Sequence, residues 1–182
     1  KELESKIREL INDHLYPDWN RKIKPGPLEI GFDYFFGVPH SHNSSPKLQV
    51  FVENRRVVGL RPGERIENKQ TLRRVQRRLK DTAIELSERA VSFIESNREN
   101  PFFLYYPMTN IHLPHTPNER FQGKSGVGAY GDFVAEFDWA VGKVLSTLDR
   151  LDLADNTLII VTSDNGAKND ENWTLNGHKS NG

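Results

Sequence analysis

Thr157-Leu158-Ile159-Ile160-Val161-Thr162-Ser163-Asp164-Asn165-Gly166 is the stretch whose reading decides the fold. Its first six residues form an uninterrupted apolar and β-branched run, the pattern of a strand buried on both faces of a parallel sheet. Ligands of open α/β sheets bind just beyond the carboxyl ends of such strands. There this chain places a carboxylate (Asp164), a side-chain amide (Asn165) and a glycine. Carboxylate and amide oxygens are hard ligands of the kind that Ca²⁺ or Mg²⁺ prefers. Gly166 permits a sharp turn with φ > 0. A plain polar turn is the competing reading, because Asn-Gly is a common turn pair.

Upstream of this strand, Phe133, Phe137, Val141, Val144, Leu148 and Leu151 mark one face of a helix from about Asp132 to Leu151. Before it, Phe102-Phe103-Leu104-Tyr105-Tyr106 reads as a second buried strand, ended by Pro107. A longer helix precedes that strand. Its stripe of Leu72, Val75, Leu79, Ala83, Leu86, Ala90 and Phe93 steps by threes and fours, and Asn100-Pro101 stops it. The order helix, strand, helix, strand predicts a βαβ crossover and a parallel sheet. Both strands then open their following loops on one sheet edge. One loop, 109–117, carries His112 and His115; the other carries Asp164 and Asn165, with His178 and Lys179 a little beyond.

An oxygen-rich cation site beside imidazoles suits a phosphate or sulfate ester. The cation neutralises the non-bridging oxygens, and a histidine donates a hydrogen bond or proton near neutral pH. A nucleophile is harder to find. Thr109, Thr162 and Ser163 are available, but none has an activating base in its sequence context.

The first half of the chain is less regular. Leu3, Ile7, Leu10 and Ile11 share a helical face, and Lys24-Pro25-Gly26-Pro27 breaks regular structure. An aromatic cluster, Gly31 to Pro39, reads as a buried strand with its turn, Gln49–Glu53 as a short strand, and Arg55–Ile66 as a hairpin or loop. His40 and His42 stand two apart in a polar loop and lack a convergent third metal ligand. Between Glu53 and Lys80, ten Lys or Arg face three Glu. That excess can steer an anionic substrate, although a solvated helix face accounts for it as well.

Composition narrows the class. The 182 residues are 36% hydrophobic and 27% charged, as expected of a globular domain with its own core. The 25 basic and 25 acidic residues cancel, so overall charge gives no argument for nucleic acid. Cysteine is absent, which excludes disulfides, thiolate metal sites and a cysteine nucleophile within these residues. No apolar run approaches the ~20 residues that cross a bilayer. The chain opens at Lys1, and its only methionine is Met108, so it is expected to be an internal piece of a larger protein.

Pro101 to Tyr106, His112-Leu113-Pro114-His115, Tyr130-Gly131-Asp132 and Leu158 to Gly166 occur in the order that resembles the type I, arylsulfatase-like sulfatases. Asp18-Trp19-Asn20, Lys24 to Pro27 and Gly31 to Pro39 fit the middle of that family's catalytic domain. Residues 1–16 match nothing and form an unassigned arm, which leaves 17–182 as the central part of the domain, incomplete at both ends. The resemblance implies an α/β, alkaline-phosphatase-like sandwich with a mostly parallel central sheet flanked by helices. It further implies sulfate ester hydrolysis, with one Ca²⁺ held by Asp164 and Asn165, His112 as catalytic group contacting the sulfate, and His178 facing the substrate.

The family's nucleophile is a formylglycine made from a Cys/Ser-x-Pro-x-Arg motif, which does not occur here. The early Asp-Asp calcium ligands, the Lys-x-x-His pair and the late lysine are missing too, and truncation explains all of these absences together. The expected partner is a sulfated small molecule or sulfated carbohydrate, without nucleic acid or a membrane span, and the oligomeric state is left open. A periplasmic, secreted or lysosomal location is the family's habit. Two alternatives remain at this point: a phosphodiesterase or phosphonate hydrolase of the same superfamily, and a non-catalytic relative binding sulfated glycans through the basic 53–80 region.

Overall fold

The structure, a computed structural model, describes residues 19, 21–66 and 68–165. The chain divides into two units, Lys1–Thr82 and Ala83–Gly182. His178 and Gly166 lie outside the described residues.

In the first unit three two-residue strands form an antiparallel sheet in the order β1 (Phe36–Gly37), β2 (Val52–Glu53), β3 (Arg56–Val57). Phe36 pairs with Glu53, and Val52 with Val57. The two-residue turn between β2 and β3 works because Asn54 accepts φ 54°, a left-handed conformation that asparagine tolerates. Asn54 also holds β1 in place. Its amide donates to the Phe35 carbonyl at 2.7 Å, and its Oδ1 accepts from the Phe35 amide at 3.1 Å. Val50, Val52, Val57, Val75 and Trp19 make the core, with Phe35, Leu48 and Leu60 packed against it.

The continuous helix expected over 72–97 is two helices. Helix α1 (Lys69–Val75) is capped by Asn68, whose Oδ1 accepts from the Thr71 amide at 2.9 Å. Helix α2 (Thr82–Asn97) begins after a 3₁₀ turn at Leu79–Asp81. Between them the backbone is drawn onto the sheet. Gln76 bridges Val50, and the Arg77 amide donates to the Gln49 carbonyl at 2.8 Å. The Arg77 guanidinium is buried there, donating to Thr82 Oγ1 at 2.7 Å and to the His42 carbonyl at 3.2 Å, and burial lowers its pKa to about 10. Tertiary pairing thus overrides a local pattern that favours helix. The predicted strand at 49–53 and hairpin at 55–66 correspond to β2 and β3.

The second unit is built from α2 and a longer helix, α3 (Gly128–Arg150), which Glu95 and Arg150 join by an ion pair. Residues 102–106 run beside α2. Phe93 and Phe102 meet edge to face with centroids 5.8 Å apart. The Tyr106 hydroxyl lies 2.8 Å from Ser87 Oγ, which itself donates to the Ala83 carbonyl. Burial pushes that phenol up to about 12. Phe102, Leu104 and Tyr106 are half-buried, whereas Phe103 and Tyr105 are exposed. This alternation is that of an extended segment covered on one side.

Neither 102–106 nor 157–162 pairs as a strand among the described residues, and the sheet that does form is antiparallel. A strand needs a neighbour for its amides and carbonyls, and neither segment finds one there. Leu158 is 87% exposed and Ile160 76%. The helix expected at 132–151 is present and begins four residues earlier.

Candidate functional site

Helix α3 presents a mixed face to the loop that follows residues 102–106. Phe133, Ala140 and Leu148 are buried on it, but so are Asp132 and Glu136, one helical turn apart. These two acids hold the loop. The Asn110 side-chain Nδ2 donates to Glu136 Oε2 at 3.2 Å and to the Phe133 carbonyl at 3.1 Å. Glu136 Oε1 accepts from the Asn118 amide at 3.3 Å. Further along, Asp132 accepts from the Gly123 amide at 2.7 Å and the Ser125 amide at 2.8 Å. Phe121 packs on Trp139 with centroids 5.5 Å apart, and the Arg120 guanidinium lies 4.6 Å from the Trp139 ring centroid.

Hydrogen bonds from Ser125, then from the Gly123 and Lys124 amides, outweigh the cost of burial and hold the Asp132 carboxyl below its ordinary value of 3.8. A carboxyl depressed in the folded state contributes stability that is present above its unfolded pKa and lost as pH falls through the folded one. Asp132→Asn is therefore expected to lower the thermal midpoint by a constant amount above about pH 4, with the deficit shrinking at more acid pH. Paired melts of the two proteins from pH 7 down to pH 2.5 check this; a gap that widens with acid would contradict it.

His112 and His115 behave differently. His115 packs on Tyr130 and Phe133, with centroids 5.4 and 6.3 Å away, and burial pushes its imidazole below the usual value. His112 is exposed between the two Glu136-bound residues, and its Nδ1 lies 2.6 Å from the Leu113 carbonyl. A carbonyl only accepts, so Nδ1 carries the proton and Nε2 is left for a ligand.

Asp164 and Asn165 are both exposed at the end of 157–162, where Ser163 Oγ donates to the Asn165 carbonyl at 2.7 Å. No hydrogen bond or ion pair joins His112 to Asp164. Among the described residues no group of three or more His, Cys, Asp or Glu is placed to hold a metal. As a donor set, Asp164 and Asn165 fit a hard cation. They offer oxygens only, are open to solvent, and would supply part of the about six to eight oxygens Ca²⁺ takes. In the first unit His42 is buried, and His40 Nδ1 lies 3.0 Å from Ser44 Oγ, so the two histidines serve the loop's own packing.

The sequence reading missed Asn110, Asn118, Asp132 and Glu136. A signal was present: two acids four residues apart, each directly preceding an inward phenylalanine (Phe133 and Phe137), break the apolar face of α3.

No helix among the described residues is long and apolar enough to cross a membrane. Comparison with known proteins places the chain. Residues 11–182 match the Sulfatase family model. The chain is 35% identical to an N-acetylgalactosamine-6-O-sulfatase of Bacteroides thetaiotaomicron, in an alignment covering 88% of this chain and 40% of that protein. It is 38% identical to human N-acetylgalactosamine-6-sulfatase over 78% of this chain and 27% of that one. A rat steryl-sulfatase is 50% identical over 47% of the chain and 15% of its own length. A solved structure from work on the metabolism of multiple glycosaminoglycans by Bacteroides thetaiotaomicron superposes with a TM-score of 0.69 at 33% identity, covering 77% of this chain and 37% of that one. The chain thus spans 40% or less of the length of these curated relatives. With the family model matched over residues 11–182 of the chain and the fold shared with that structure, the chain belongs to the Sulfatase family.

Proposed function

We propose that this chain is part of a hydrolase that cleaves sulfate esters, with a sulfated carbohydrate as substrate. The observation that carries the reading is the family match over residues 11–182. The substrate class rests on relatives named N-acetylgalactosamine-6-sulfatases, one of which aligns with 88% of the chain.

In this reading His112 binds a sulfate oxygen. Because Nδ1 donates to the Leu113 carbonyl, the ring reaches the sulfate through Nε2, and it donates from there as the imidazolium. The carbonyl partner fixes the ring's direction. Asp164 and Asn165 hold one Ca²⁺, which when bound supplies positive charge against the sulfate oxygens. His178 faces the substrate. The nucleophile is a formylglycine contributed from outside this chain. Residues 102–106 and 157–162 are strands of a parallel central sheet. Exposed Phe103, Tyr105, Leu158 and Ile160 support that part, since solvent-facing apolar clusters mark surfaces that become covered.

The test is sulfate release from a sulfated N-acetylgalactosamine and from an aryl sulfate by the full-length protein. His112→Ala is expected to lower kcat/KM by about 10²-fold. Unchanged kcat/KM would remove His112 from the site, and no sulfate release by the wild type would overturn the hydrolase reading.

A further inference from the structure

We infer that Glu136 is the positioning residue for His112, a buried carboxylate that clamps both shoulders of the loop carrying it. The inference rests on the reading of His112 as the sulfate-binding group. Glu136 is 1% exposed and divides its two oxygens between Asn110 and Asn118. Those residues bracket His112, and α3 supplies a rigid base for the clamp.

An ionised carboxylate only accepts hydrogen bonds, and so does the Phe133 carbonyl. Together they dictate which end of the Asn110 amide faces α3. The Asn110 Oδ1 is left buried with no hydrogen-bond partner, as is the neighbouring Thr109 Oγ1. A purely structural role for Glu136 predicts lost stability alone. A positioning role predicts a displaced imidazole as well, and small misplacements of reacting groups cost about 10²-fold in rate.

The experiment compares Glu136→Ala and Glu136→Gln with wild type in the full-length protein. It follows kcat and KM for sulfate release, inhibition by inorganic sulfate, the thermal midpoint, and the His112 ring resonances by NMR. In Glu136→Ala, kcat is expected to fall about 10- to 100-fold, sulfate inhibition to weaken, and the His112 resonances to shift or broaden. Glu136→Gln keeps one acceptor oxygen, enough for Asn110 or Asn118 but not both, so its kcat and resonances should lie between the two. If Glu136→Ala does not fold, the glutamine variant carries the test. A lowered midpoint with unchanged kcat, sulfate inhibition and His112 resonances would overturn the inference. If the wild type releases no sulfate, the hydrolase reading fails by itself, and the His112 resonances still decide whether Glu136 sets that ring. A variant on the exposed side of α3, Leu145→Ala, serves as the control that should move none of them.

Discussion

Asp164→Ala is expected to lower sulfate release by at least about 10²-fold while leaving the thermal midpoint of the metal-free protein nearly unchanged. The two halves of this result have separate causes. Asp164 is a polar side chain exposed in the loop after 157–162, so its removal opens no apolar cavity. The full negative charge of a carboxylate matters far more to a divalent cation than to the fold, because ligand charge sets much of the affinity of oxygen sites. Asn165→Ala removes a neutral donor and is expected to cost less. Calorimetric titration with Ca²⁺ and rates measured across a Ca²⁺ series check both variants. The affinity loss should appear first, and excess metal should rescue Asn165→Ala further than Asp164→Ala. Full turnover and unaltered Ca²⁺ affinity in Asp164→Ala would show that the pair is a polar turn.

Phe133→Ala is expected to destabilise the protein by about 3–5 kcal/mol. Its ring is 2% exposed on the inner face of α3 and lies against His115. Truncation forfeits both the transfer of a large apolar surface and the dispersion contacts around it. Alanine's better helix propensity returns only a few tenths of a kcal/mol. Set against the about 5–15 kcal/mol that typically separates folded from unfolded states, the loss is a large share. Urea unfolding with an unchanged m-value would measure it, and a cost under about 1 kcal/mol would mean that the loop collapses into the gap. The Phe133 carbonyl that Asn110 uses is backbone and survives the substitution. His112 should therefore keep its role at temperatures where the variant remains folded.

The parts of the fold that the sequence discloses are those fixed by local chemistry. Helix α3 is visible because one face repeats Phe133, Phe137, Val141, Val144 and Leu148 at helical spacing. The short strand at 49–53 is visible as an apolar run, and the residue that follows it, Asn54, is of a type that accepts positive φ. The break between α1 and α2 is invisible because its cause is distant: Gln76 and Arg77 leave the helix for Val50 and Gln49. Apolar runs at 102–106 and 157–162 report that these segments seek burial, but not which neighbour provides it. In the loops, His112, Asp164 and Asn165 stand out as chemistry-bearing residues. Glu136 and Asp132 do not, since an acid on a helix normally faces water. Only the geometry reveals that their partners are the amides and side chains of residues 110 to 125.

The two acids of α3 also tie the loop's order to the helix's own stability. Opening the loop would strip Asp132 and Glu136 of donors while they still face the interior, a state more costly than either full closure or full release. Residues 110–125 and α3 are therefore expected to open and close as one cooperative unit, which hydrogen exchange of the two segments would check. His112 is thus carried by a loop tied to a helix, although it sits at the surface.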